Sequence, residues 1–62
     1  MDTSKILIVD DNPEIREIIE ILLKGEGFET VQAKDGLTAL NQLKKQDFDL
    51  IILDIMMPGM NG

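Results

Sequence analysis

The sequence of 62 residues lacks cysteine and histidine altogether. Without cysteine no disulfide or cysteine–zinc site can form, which excludes a small secreted scaffold. Without histidine there is no imidazole to serve as a base or as a metal ligand. Aromatic residues make up only 3% of the chain, so an aromatic surface that stacks on the bases of single-stranded nucleic acid is not expected.

Positive charge and long apolar runs are also scarce. Six Lys and Arg face twelve Asp and Glu, for a net charge of −6. This balance argues against direct binding to nucleic acid or to an anionic membrane surface, and favours cations or a basic partner. No apolar run approaches the roughly 20 residues of a membrane span, and the N-terminus lacks a signal-peptide pattern. The sequence therefore predicts a cytoplasmic protein.

What is present is aliphatic: hydrophobic residues make up 44% of the chain, enough to build a core. Two continuous aliphatic runs, Lys5–Val9 and Leu50–Leu53, are typical of strands buried on both faces of a parallel sheet. Residues 28–33 alternate between apolar and polar side chains, which predicts a short strand with one wetter face at a sheet edge.

Two amphipathic helices are predicted between these strands. Asn12-Pro13 is a favourable helix start, and the apolar stripe that follows ends near residues 24–27. Asp35 is best explained as the cap of a second helix that ends near residues 44–46. The order β-α-β-α-β with short connections predicts one α/β domain over residues 1–62, with parallel strands and right-handed crossovers.

Each continuous run ends in acidic residues: Asp10 and Asp11 follow the first, and Asp54 follows the last. Ligands of open parallel sheets bind outside the carboxyl ends of the strands. If the two strands are neighbours, the three carboxylates repel each other and favour a divalent cation, and oxygen-only ligands favour Mg²⁺. A carboxylate beside Mg²⁺ can also attack a phosphoryl group. The alternative is that each acid is only a helix cap or turn former.

The segments from Lys5 to Asp11 and from Leu50 to Gly62, with Asp35-Gly36 between them, carry a specific pattern. Over its whole length the chain resembles the receiver domain of bacterial two-component response regulators. The resemblance implies a doubly wound, flavodoxin-like fold, here truncated, with strand order 2-1-3.

The resemblance also implies roles for individual residues. Asp54 would accept a phosphoryl group from a histidine kinase or a phosphotransfer protein. Asp11 would bind Mg²⁺ directly, Asp10 would act mainly through a metal-bound water, and Met56 would offer its backbone carbonyl to the metal. The chain would thus act as a Mg²⁺-dependent phosphoacceptor module in signal transduction and not as an enzyme.

Two further surfaces follow from the same resemblance. Pro58 and Gly59 would shape the loop beside the site. Pro13, Ile15 and Ile18, at the start of the first helix, would face the phosphodonor. The alternative that the two isoleucines are simple core residues stays open.

Receiver domains are longer than this chain, and their later strands supply a switch Ser or Thr and a Lys. The third strand is therefore expected to be exposed at an edge, and we expect a homodimer or larger assembly that pairs through it. A different class of function also stays open: an inert half-domain that self-associates. Position 56 is Met, which disfavours the aspartyl-phosphate hydrolases that need a second Asp there, and no G-x-G-x-x-G follows either run.

Overall fold

The computed structural model describes residues 4–53 of the chain. They form a three-stranded sheet in the order β2-β1-β3, with both strand pairs parallel. The predicted α/β architecture and strand order are confirmed. The elements are β1 (Lys5–Val9), α1 (Pro13–Gly25), β2 (Glu29–Ala33), α2 (Gly36–Lys45) and β3 (Leu50–Leu53).

The central strand β1 forms the core of the molecule. Leu7 and Ile8 have no exposed surface, and Ile6 and Val9 are also buried. Burial is complete because β1 has a strand on each side and contacts both helices. A continuous aliphatic run is the pattern that such a position requires, since neither face of the strand meets water.

The two helices lie on opposite faces of the sheet. On one face, Ala39 of α2 packs against Leu7, Val9 and Ala33. On the other face, α1 hydrogen-bonds to the side chains of the alternate residues of β2. Successive side chains of a strand point to opposite faces, so one helix packs on each face of the sheet.

The strand β3 lies exposed at an edge of the sheet, as predicted for this chain. Its continuous aliphatic run alone is typical of a strand buried on both faces, but Leu50 and Leu53 are 54% and 59% exposed. Within residues 4–53, β3 pairs only with β1 and neither helix contacts it. Its aliphatic surface is therefore open, as expected for an edge strand that lacks cover.

The helix α1 begins where the sequence predicts. Asn12 has extended backbone geometry, and its side-chain oxygen accepts the N–H groups of Glu14 and Ile15 at 2.9 and 3.4 Å. Pro13 occupies the first helical position, where its missing N–H costs nothing. This cap fixes the direction in which the chain leaves the loop after β1.

Replacing Asn12 by alanine should lower the free energy of unfolding by about 1 kcal/mol, because two helix N–H groups lose their acceptor. Asn12→Ser, which keeps a capping oxygen, is the control and should retain most of the stability. Urea unfolding followed by circular dichroism measures both. Equal midpoints for Asn12→Ala and the unchanged chain would show that the cap contributes nothing.

Candidate functional site

The candidate site lies at the carboxyl end of β1, where Asp10 continues the strand by one residue. The Asp10 N–H donates to the carbonyl of Ala33 at 3.1 Å, which extends the pairing with β2. The side chain of Asp10 is only 4% exposed. Its Oδ1 accepts the N–H of Asn12 at 2.9 Å. The sheet thus holds a carboxylate below the surface at the edge where ligands of this architecture bind.

The second carboxylate oxygen of Asp10 is buried and, among residues 4–53, has no hydrogen-bond partner. A buried charged oxygen without a donor carries a large desolvation cost. A cation placed against it would offset that cost. The two oxygens of Asp10 thus differ: Oδ1 makes the main-chain bond of a turn former, whereas Oδ2 is left open to a cation.

Asp11 lies beside it in sequence, in the loop between β1 and α1, and is exposed. This loop runs into the N-terminus of α1, where the helix dipole and free N–H groups favour negative charge. The two neighbouring acids therefore differ in environment, one enclosed by the sheet and one open to solvent.

The third predicted carboxylate follows β3. Leu53 is in register with Val9, so the last residues of β3 and β1 are paired Cα to Cα. Asp54 follows Leu53 in the sequence just as Asp10 follows Val9. Within residues 4–53, no three acidic side chains group closely enough to hold a metal. The predicted convergence of Asp10, Asp11 and Asp54 stays a prediction, since Asp54, Met56, Pro58 and Gly59 all lie outside the described residues.

A polar network between α1 and β2 reaches the same loop. The guanidinium of Arg16 donates to the backbone carbonyl of Asp10, and its Nε donates to Gln32 Oε1 at 3.0 Å. Gln32 Nε2 in turn donates to Glu20 Oε1 at 2.9 Å. The Thr30 hydroxyl donates to the other Glu20 oxygen at 2.7 Å. These contacts connect β2, through α1, to the loop that carries Asp10 and Asp11.

Ionisation states within and near this network follow from the donors. The Thr30 hydroxyl, against the opposing effect of burial, holds the pKa of Glu20 below its ordinary value, with help from Gln32 and the charge of Lys24. The N–H of Thr38 donates to Asp35 Oδ1 at 2.8 Å, which confirms Asp35 as the cap of α2. The same bond lowers the pKa of Asp35.

Sequence reasoning missed the network. The wetter face predicted for β2 is turned toward α1, so Thr30 and Gln32 meet a polar stripe of the helix. A usable signal was present: Arg16 and Glu20 are four residues apart on α1, and the two polar residues of β2 are two apart. Matching polar periodicities of 3.6 and 2 on adjacent elements indicate contact across a helix–sheet interface.

The predicted partner face is exposed. Ile15 and Ile18 have 39% and 55% of their surface accessible, and Pro13 is exposed as well. The core alternative for the two isoleucines is not what the structure shows, while their role toward a phosphodonor stays a prediction. Across residues 4–53, neither helix has the length and apolarity that crossing a membrane requires.

Comparisons with known proteins agree with the fold. A family profile described as the response regulator receiver domain matches residues 6–62. The chain is 48% identical, over its whole length, to 28% of the DNA-binding response regulator MtrA of Mycolicibacterium smegmatis. It is 56% identical, over 94% of its length, to 45% of the chemotaxis protein CheY-3 of Vibrio cholerae. The solved structure of Vibrio cholerae CheY4 superposes with a TM-score of 0.86 at 41% identity, covering 95% of this chain and 49% of that one.

The chain spans less than half the length of each of these three relatives. The likeness therefore concerns only part of each relative.

Proposed function

This chain belongs to the response regulator receiver domain family, and on that premise we propose that Asp54 is a phosphoacceptor in two-component signalling. Residues 1–62 would be the first part of a receiver domain. The phosphodonor would be a histidine kinase or a phosphotransfer protein, met in the cytoplasm through Pro13, Ile15 and Ile18. The chain would receive the phosphoryl group as a signalling module and would not turn over a substrate as an enzyme.

The observation that supports this most directly is the pairing of Val9 with Leu53. Neighbouring parallel strands are about 4.8 Å apart. Residues that directly follow a paired position start from adjacent points at the sheet edge. The register thus favours a position for Asp54 beside the enclosed carboxylate of Asp10.

The residues fit a divalent cation. Asp10 Oδ2 is a buried oxygen without a partner in residues 4–53, and Asp11 adds an accessible carboxylate. We propose that Asp10, Asp11, Asp54 and the backbone carbonyl of Met56 hold Mg²⁺, with Pro58 and Gly59 shaping the adjoining loop. Oxygen-only ligands match the preference of this ion. When bound, it neutralises charge on the transferring phosphoryl oxygens.

In the proposed transfer, a carboxylate oxygen of Asp54 forms a bond to phosphorus, and the bond from phosphorus to the donor's imidazole nitrogen breaks. The nitrogen keeps the bonding electron pair, and Asp54 becomes an acyl phosphate. Asp10 and Asp11 contribute negative oxygens that orient the cation beside the nucleophile.

Incubation with acetyl phosphate and Mg²⁺, followed by intact-mass measurement, tests the proposal. The expected result is a gain of one phosphoryl group (HPO₃) that does not occur when Mg²⁺ is chelated. An unchanged mass under saturating donor and metal would contradict phosphoacceptance by this chain.

The exposed strand β3 supports a second proposal, self-association. Within residues 4–53 its outer edge has no strand partner, and Ile51 and Leu53 are 40% and 59% exposed. Such an edge presents unpaired backbone groups and apolar side chains to a second chain. We propose a homodimer or higher oligomer that pairs through β3.

Ile51→Lys should shift the chain toward monomer in sedimentation velocity at micromolar concentration, because burying an ammonium at the paired edge is costly. Leu37→Lys is the matched control, since Leu37 is 71% exposed on α2 and α2 does not contact β3. The control should sediment like the unchanged chain. A compact, cooperatively melting monomer before any substitution would disprove the dimer.

A further inference from the structure

We propose that Arg16 is a positioning residue that fixes the main chain at Asp10 and so orients the acidic pair, Asp10 and Asp11, toward a divalent cation. The part of the proposal that concerns the cation rests on the proposed function. The part that concerns the main chain stands on the contacts of Arg16 alone.

The atom that Arg16 binds is informative. The carbonyl of Asp10 belongs to the peptide group that joins Asp10 to Asp11. The peptide group is planar, so holding its carbonyl in place restricts the backbone rotations on either side of it. These rotations determine the directions in which the side chains of Asp10 and Asp11 leave the backbone. The other end of the Asp10 main chain is held as well, since its N–H donates to Ala33. Residue 10 is therefore fixed on one side by β2 and on the other by α1.

The guanidinium is itself fixed. Its Nε donates to Gln32 Oε1, which leaves Nη1 directed at the Asp10 carbonyl. The Gln32 amide can be oriented in only one way, because its Nε2 must face the acceptor oxygen of Glu20. Glu20 is in turn bound by the Thr30 hydroxyl. Each group in this series has a defined role as donor or acceptor. The side chains of Gln32, Glu20 and Thr30 therefore fix the position of the Arg16 guanidinium.

Charge alone would argue against an arginine here. A cation near a divalent-metal site opposes metal binding by Coulomb repulsion. If Arg16 mattered only through its charge, removing it would tighten metal binding. If Arg16 orients the ligands, removing it weakens metal binding, because outer contacts that orient metal ligands are typically worth about 10–100-fold in affinity. The two explanations therefore predict opposite changes in metal affinity when Arg16 is removed.

The test is a Mn²⁺ titration of the full chain followed by electron paramagnetic resonance, with Mg²⁺ as competitor. Arg16→Ala is expected to weaken Mn²⁺ binding about tenfold. Arg16→Lys keeps the charge and the stem, but a single ammonium cannot reproduce the planar two-way donation, so it should restore only part of the affinity. Lys44→Ala removes the same charge from the last turn of α2, outside this network, and should leave the affinity unchanged within about twofold, because relief of a distant, screened Coulomb repulsion is small.

Amide hydrogen exchange gives a readout that needs no metal. The N–H groups of Asp10 and Asn12 are bonded to Ala33 and to Asp10 Oδ1. Both should exchange faster in the two Arg16 variants and not in Lys44→Ala. If the unchanged chain binds no Mn²⁺, the metal site of the proposed function is wrong, and exchange still decides the role of Arg16.

Three outcomes would overturn the positioning role. One is a folded Arg16→Ala chain that binds Mn²⁺ as tightly as, or tighter than, the unchanged chain. Another is unaltered exchange at both amides. The third is loss of the fold in both Arg16 variants, which would make Arg16 a residue of general stability.

Discussion

Replacing Asp54 by asparagine is expected to abolish the mass increase that acetyl phosphate and Mg²⁺ produce in the unchanged chain. An asparagine amide has nearly the shape of a carboxylate, but it carries no anionic oxygen to bond to phosphorus. The loss should therefore be complete at any donor concentration. Intact-mass spectrometry of both chains under identical conditions measures it.

The matched control is Asp47→Asn, which removes an exposed carboxylate from the loop before β3. This variant should gain one phosphoryl group to the same extent as the unchanged chain. Equal phosphorylation of Asp54→Asn would show that another group accepts the phosphoryl, and the assignment of Asp54 would be wrong.

The second large effect concerns Asp10, for which we expect stability and metal binding to change in opposite directions. Asp10→Asn should raise the free energy of unfolding without metal by about 1–3 kcal/mol, because a buried carboxylate oxygen that has no partner among residues 4–53 is replaced by part of a neutral amide. The same change should remove the stabilisation by Mg²⁺. For the unchanged chain that stabilisation is about 2.7 kcal/mol when Mg²⁺ is present at 100 times its dissociation constant.

Asp11→Asn separates the two effects. Asp11 is exposed, so its neutralisation should leave the metal-free stability nearly unchanged while it weakens the response to Mg²⁺. Urea unfolding with and without Mg²⁺ gives both quantities for each chain. If Asp10→Asn destabilises the metal-free chain, or still responds fully to Mg²⁺, the inference from the unpartnered oxygen fails.

The fold was largely predictable because local signals and long-range requirements coincide. The run from Ile6 to Val9 is apolar throughout, and a central strand between two helices buries it on both faces. Asn12-Pro13 carries its own helix start. The exposure of β3, by contrast, depends on which other elements pack against it. The same aliphatic run is compatible with a buried strand and with an exposed one, so the run alone does not predict exposure.

The site was predictable only in part. Acids after two aliphatic runs point to a shared sheet edge, but burial is a property of the assembled fold. The sequence does not distinguish the enclosed Asp10 from the open Asp11. Arg16 was missed because its only sequence signal is the matching polar periodicity of α1 and β2, and because its second partner is a backbone carbonyl, which the sequence does not mark.

The placement of residue 10 between β2 and α1 has a thermodynamic consequence. Its N–H is bonded to β2 and its carbonyl to α1. Fraying of β2 at the edge of the sheet and the proposed binding of a cation by Asp10 and Asp11 would therefore be coupled equilibria. Binding of the cation should slow local opening of β2. By reciprocity, a change that favours this opening should weaken cation binding by the same coupling free energy.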